Sequence, residues 1–126
     1  MAIDPTAAYD DENIFAKILD GSIPSSATDS DSYCYSFNDI NPQAEVHQLV
    51  IPRGRYTTLT DFANRASDAE LAAWVRALAR VATKAGLAER GYRVIINTGG
   101  DGHQEVPHLH GHVLGGGPLG PMLSRR

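Results

Sequence analysis

His108-Leu109-His110-Gly111-His112, inside the stretch Pro107 to Leu114, is the segment on which the reading of this chain turns. Histidine recurs at every second position. In an extended strand successive side chains point to opposite faces. The three imidazoles are therefore expected on one face of a strand, with Leu109 and Gly111 on the other. Groups that titrate near neutrality are rarely lined up in this way unless chemistry uses them. The strand should end at Gly115-Gly116-Gly117-Pro118. Ahead of it, Asn97 to Val106 is a Gly-rich loop, and Gly99-Gly100-Asp101-Gly102-His103-Gln104 is the kind of segment whose backbone N–H groups can approach an anion.

Further out the pattern alternates between helix and strand. Tyr92 to Ile96 is β-branched and reads as a strand. Ser67-Asp68-Ala69-Glu70 is a capping box that should open the longest helix, running to about Leu87 with Leu71, Trp74, Val75, Leu78, Val81 and Ala82 on its apolar face. His47 to Ile51 is a short apolar strand closed by Pro52, and Ser32 to Phe37 alternates as a strand does. Asn13 to Asp20 suits a short helix stopped by Gly21. Residues 1–11 read as a flexible arm and 12–126 as a single domain with a C-terminal tail. Helix, strands, helix and strands in that order indicate α+β with an antiparallel sheet. Two helices cover such a sheet incompletely, which favours a dimer.

Composition narrows the function classes. The chain has 126 residues, 42% of them hydrophobic and 21% charged, an ordinary globular balance. A formal charge of −4 argues against coating nucleic acid, so any phosphate must be held by local donors. The single cysteine, Cys34, excludes an internal disulfide and suits a reducing cytoplasm. No stretch approaches the length of a membrane span, and the acidic Asp10-Asp11-Glu12 is the wrong charge for a targeting peptide.

The residues permit three chemistries. A neutral imidazole can attack phosphorus and form a covalent intermediate while its other nitrogen holds a proton. Of three stacked histidines the middle one, His110, has neighbours on both sides to orient it. Metal binding is the second reading, but His108 and His112 stand about 13 Å apart along a strand, so one zinc cannot take all three without a bend. Two of them with His47 or Cys34 could hold one. A solvated polar strand face is the third. Phe15, Ile18 and Phe37 read as core, part of which could form a slot for a base, and Cys34 and Trp74 read as packing.

The stretch Gly102 to Gly116 closely resembles the motif of the histidine triad (HIT) family, in which histidines alternate with apolar residues. The likeness continues in Ile14-Phe15-Ala16-Lys17-Ile18, Ile23-Pro24, Phe37-Asn38-Asp39-Ile40-Asn41-Pro42, His47-Gln48-Leu49-Val50-Ile51-Pro52, Gly91 to Asn97 and the tail Pro118 to Leu123, in the order of the Hint branch. It covers about residues 12–123. It implies a five-stranded antiparallel sheet with two helices, and a homodimer with one continuous ten-stranded sheet. It implies a purine nucleoside phosphoramidase with no cofactor and no metal at the catalytic site. His110 matches the nucleophile, His112 and His47 its proton-handling neighbours, and His108 the histidine that braces it. Asp39, Asn97 and the His103-Gln104-Glu105 loop match nucleotide contacts; Ile14, Phe15, Ile18, Phe37 and Ile40 match the base slot. A nucleotide-binding module with weak catalysis and a dinucleoside polyphosphate hydrolase are the alternatives. Gly111, His103, Glu105 and Pro107 depart from common family residues. Asn13 and Ala16 replace a cysteine pair that holds a structural zinc in some relatives, so that zinc is not expected here.

Overall fold

The computed structural model describes residues 3–123. Positions 1 and 2 of the expected arm and 124–126 of the expected tail lie outside the described residues. The elements run α1 (Ile14–Leu19), β1 (Ala27–Ser30), β2 (Cys34–Asn38), β3 (Val46–Pro52), α2 (Leu59–Arg65), α3 (Asp68–Lys84), β4 (Tyr92–Ile95) and β5 (Gly111–Gly115). The strands form one antiparallel five-stranded sheet in the order β1-β2-β3-β5-β4.

Period two sorts the sheet's faces. On β3, Val50 joins the cluster beneath α3, while Leu49 and Ile51 pack on the other side with Phe15 and Phe37. The expected capping box forms at Ser67 and Glu70, and α3 buries Trp74, Ala77, Leu78, Val81 and Ala82. Val75, assigned to that apolar face from sequence, is 62% exposed. It follows Trp74 by one position, a rotation of about 100° that carries it off the buried stripe. Gly86, at φ 79°, follows the helix in the left-handed conformation a glycine adopts freely.

Small residues on β5 let α3 and its C-terminal extension approach. A Cβ on Gly111 would lie 2.7 Å from Leu78 Cδ2 and 3.3 Å from Trp74 Cζ2, and one on Gly115 would lie 2.9 Å from two Leu87 carbons. The glycine inside the triad is therefore a packing requirement on the face opposite the histidines.

Two expectations need correction. Among the described residues there are three helices, not two: the seven-residue α2, N-capped by Thr58, is too short for its period to stand out in sequence. The histidine strand begins at Gly111, not Pro107. Its β3 partner ends in Pro52, which has no N–H to donate, and Leu109 N–H bonds to the Tyr56 carbonyl at 2.7 Å instead of joining the ladder. Strand β1, rich in polar residues and bulged against β2 between Ala27 and Asp29, carries no apolar alternation.

Candidate active site

Over the face of β3 and β5 that carries His47 and His112, a cavity of about 310 Å³ opens. His110, His112, His47, Asp39, Asn97, His103, Glu105 and Phe15 line it. Asn41, Gln43, Leu49, Ile95, Val106 and Leu114 complete the wall, and none of these six was singled out from sequence. Leu49 and Leu114 could have been: they share strand parity with His47 and His112.

His47 and His112 are diagonal neighbours across the β3–β5 ladder, since His47 pairs with Leu114 and Leu49 with His112. The hydrogen-bond network assigns their tautomers. Gln43 N–H donates to His47 Nδ1 at 3.1 Å, so a neutral His47 carries its proton on Nε2. That proton faces His112 Nδ1 at 2.9 Å and Asp39 Oδ2 at 3.4 Å. His112 is then left with Nε2–H. Burial, reinforced by the charges His110 and His47 would carry, pulls the His112 pKa down to about 4. Burial also lowers that of His47, against the pull of Asp39.

His110 is assigned as directly. Its Nδ1 lies 2.7 Å from the His108 carbonyl, which can only accept, so Nδ1 donates and Nε2 keeps the lone pair. The Phe15 ring meets the imidazole edge-on at 5.0 Å and the His112 ring does so at 5.1 Å. Burial lowers the His110 pKa, partly offset by the bond to His108 and by Asp39 and Glu105. A histidine fixed in one tautomer, neutral at pH 7 and open to a cavity has the lone pair that a nucleophile needs.

His108 lies behind the cavity wall. It is fully buried, its Nε2–H donates to the Pro52 carbonyl at 2.8 Å, and burial brings its pKa down to about 4. The triad thus divides into two rings on the cavity and one that supports them.

Other sequence candidates fall into distinct places. Gln104 is buried: its amide donates to the Thr57 and Val106 carbonyls and its Oε1 accepts from Gly99 N–H. His103 N–H and Gln104 N–H bond back to Gly100 and Gly99 carbonyls, and Asn97 Nδ2 donates to the Gly102 carbonyl. These bonds close the Gly-rich loop on itself and occupy the His103 and Gln104 N–H groups, which are not free for an anion, while Asn97 Nδ2 keeps a second hydrogen to donate. His103 sits at φ 61°, a conformation that glycine adopts more readily, and its exposed ring reaches Glu105 at 3.0 Å on the cavity rim. Ile14, Ile18, Phe37 and Ile40 do not line this cavity: Phe37 lies among the buried residues around Phe15, and Ile40 is 86% exposed. Cys34 is buried in β2 on the α3 side, with burial pushing its thiol up to about 12. Trp74 Nε1 donates to the Val50 carbonyl, the packing role expected of it.

Asp39, His47 and His112 bring potential metal ligands within 4.8 Å of one another. The hydrogen bonds oppose that use. A metal on His47 Nε2 would move the ring proton to Nδ1, where it would face the Gln43 N–H. Asn13, at one of the positions where some relatives carry zinc-binding cysteines, instead caps α1 by accepting from Ala16 N–H.

Comparisons with known proteins identify the family. The HIT domain model matches residues 20–119. An uncharacterized 13.2 kDa HIT-like protein of Azospirillum brasilense is 50% identical over 117 residues, covering 93% of this chain and 96% of its own length. The purine nucleoside phosphoramidase of Escherichia coli K12 is 43% identical over 116 residues, covering 92% and 97%. Among solved structures, a HIT family hydrolase from Clostridium thermocellum superposes with a TM-score of 0.81 at 37% identity, over 90% of this chain and 97% of that one. A histidine triad protein from Clostridium difficile gives 0.77 at 39% identity, over 87% and 95%. The chain belongs to the HIT family.

Proposed function

We propose that this protein is a nucleotide hydrolase that cleaves the P–N bond of adenosine or guanosine 5′-phosphoramidates through a nucleotidyl-histidine intermediate. The observation that carries the reading is the bond from His110 Nδ1–H to the His108 carbonyl, which leaves Nε2 as the lone pair at the cavity. The likeness to the Escherichia coli phosphoramidase supports the substrate class.

In the first step His110 Nε2 bonds to phosphorus as the P–N bond breaks, and the departing nitrogen takes one proton. The His112–His47–Asp39 row is the proton path, because its members are within hydrogen-bonding or ion-pair reach of one another. The negative phosphoryl group favours a proton on His112, offsetting the burial that holds this ring neutral. In the second step water attacks phosphorus, His110 Nε2 regains its lone pair and the water's proton returns along the same row. Nucleoside monophosphate and amine are the products.

Support for a dimer comes from the sheet edge. Strand β4 is terminal in the sheet order and exposes Tyr92 and Val94. An unpaired edge carrying apolar side chains is a template for a second strand, and pairing of two β4 strands gives a ten-stranded sheet. Among the described residues no helix is long and apolar enough to cross a membrane; the free, buried Cys34 suits the reducing cytoplasm in which such an enzyme would act on small nucleotides.

The test is turnover of a fluorogenic adenosine phosphoramidate beside a dinucleoside polyphosphate. The phosphoramidate should be the better substrate, and His110→Ala should lose at least ~10³-fold in kcat while still binding AMP. A folded His110→Ala protein with near-normal rate would sink the mechanism, and AMP binding without turnover by the unmodified chain would leave a nucleotide-binding module.

A further inference from the structure

The segment ahead of α1 reaches the triad from behind. Tyr9 does not line the cavity, yet its hydroxyl lies 2.6 Å from His108 Nδ1, and the two rings meet edge-on with centroids 5.6 Å apart. The Arg55 guanidinium lies over the Tyr9 ring at 5.1 Å. Arg55 is itself held by both carboxylate oxygens of Asp11, at 2.8 Å each. Tyr9 is therefore clamped between a triad histidine and a cation anchored two residues further along its own segment.

The direction of each bond follows from what each atom can do. The Pro52 carbonyl only accepts, so His108 carries its proton on Nε2. In the neutral ring Nδ1 is then an acceptor, and the Tyr9 hydroxyl must donate. His108 is completely buried, so without Tyr9 its Nδ1 would be a desolvated acceptor with no partner among the described residues. The backbone of the same His108 holds His110 Nδ1–H at 2.7 Å. A tilt of His108 is thus passed on to the ring whose lone pair faces the cavity.

We propose that Tyr9 is a positioning residue for His110: its hydroxyl holds His108 in orientation through the Nδ1 lone pair that the Pro52 carbonyl leaves bare, and the His108 carbonyl holds His110. The kinetic part rests on the phosphoramidase reading; the hydrogen-bond part does not. The residues between Tyr9 and α1 are thereby part of the working site, although they touch no substrate.

The experiment is Tyr9→Phe in the full chain, which removes the hydroxyl and keeps the ring. Nitrogen-15 NMR of the imidazoles should show wild-type His108 with a protonated Nε2 and a bare Nδ1. In Tyr9→Phe both His108 nitrogen shifts should move, and His110 Nδ1–H should exchange faster with water. On an adenosine phosphoramidate kcat should fall about tenfold, the scale of one hydrogen bond to a buried acceptor, with KM within twofold. Wild-type His108 protonated on Nδ1 overturns the proposal. So does a folded Tyr9→Phe protein with unchanged kcat, or one whose loss lies wholly in KM. If Tyr9→Phe does not fold, the Tyr9 hydroxyl proton of the wild type decides: slow exchange with a coupling to His108 Nδ1 supports the proposal, and a freely exchanging hydroxyl overturns it. If the wild type turns over no phosphoramidate, the functional reading fails, and His110 Nδ1–H exchange in Tyr9→Phe still decides the positioning: faster supports it, unchanged overturns it.

Discussion

Gly111→Ala probes the contact between the triad and α3. An alanine Cβ there would stand 2.7 Å from Leu78 Cδ2 and 3.3 Å from Trp74 Cζ2. Leu78 can give by rotating its end, but it is buried in the core cluster and Trp74 is rigid. Overpacking of this kind costs about 1–3 kcal/mol. Replacing a strand glycine by alanine returns about 0.5–1 kcal/mol. The expected net loss is about 1–2 kcal/mol, or roughly 3–8 °C in Tm for a chain of this size. Activity should fall too, because β5 must move away from α3 while carrying His112 and the end of the His110 segment. Differential scanning fluorimetry with parallel kinetics reads both. Gly117→Ala is the control, since nothing lies within 4 Å of a Cβ there. A Gly111→Ala protein as stable and active as wild type would show that α3 does not constrain the triad.

The pH dependence of kcat/KM should fall on the acid side below pH 6.5, because burial lowers the pKa of His110 and the nucleophile must be neutral; an acidic limb above pH 7 for the free enzyme would contradict this. Stability should fall as pH drops from 6.5 towards 4: the His108 pKa is lowered from 6.5 to about 4 on folding, so in that window the unfolded chain takes up a proton that the native state refuses. Fully developed, that amounts to about 3 kcal/mol, read as the pH dependence of the urea midpoint, and a flat profile from pH 7 to 4.5 would remove His108 from the account of acid sensitivity. Full activity is expected in excess EDTA and inhibition by added zinc, since a metal on His110 would occupy the attacking lone pair; activity lost on chelation and restored by stoichiometric zinc would reverse the role given to that ring.

Much of the site was legible because strand parity is a strong code. Alternation in the triad put the histidines on one face and Gly111 on the other, whereas His47 was joined to His110 and His112 through the family resemblance. The capping box located α3 because Ser67 and Glu70 do chemistry that few other positions can do. What stayed hidden depends on long-range partners. Nothing local marks Tyr9, which meets His108 across 99 positions of chain. Gln104 looks like a ligand contact in sequence and is a buried brace, because its three hydrogen bonds go to Thr57, Gly99 and Val106. Alternation alone does not separate His108 from His112; the Pro52 carbonyl and the end of the ladder set them apart. Short polar elements, β1 and α2, lack the apolar period that sequence reading needs.

Covalent catalysis by His110 is tested most directly by the stereochemical course at phosphorus. A nucleoside phosphoramidothioate of known configuration, hydrolysed in oxygen-18 water, yields a product whose configuration can be read by phosphorus-31 NMR. Two successive in-line displacements, first by His110 Nε2 and then by water, should give overall retention. Inversion would mean that water attacks in a single step and that His110 is not the nucleophile.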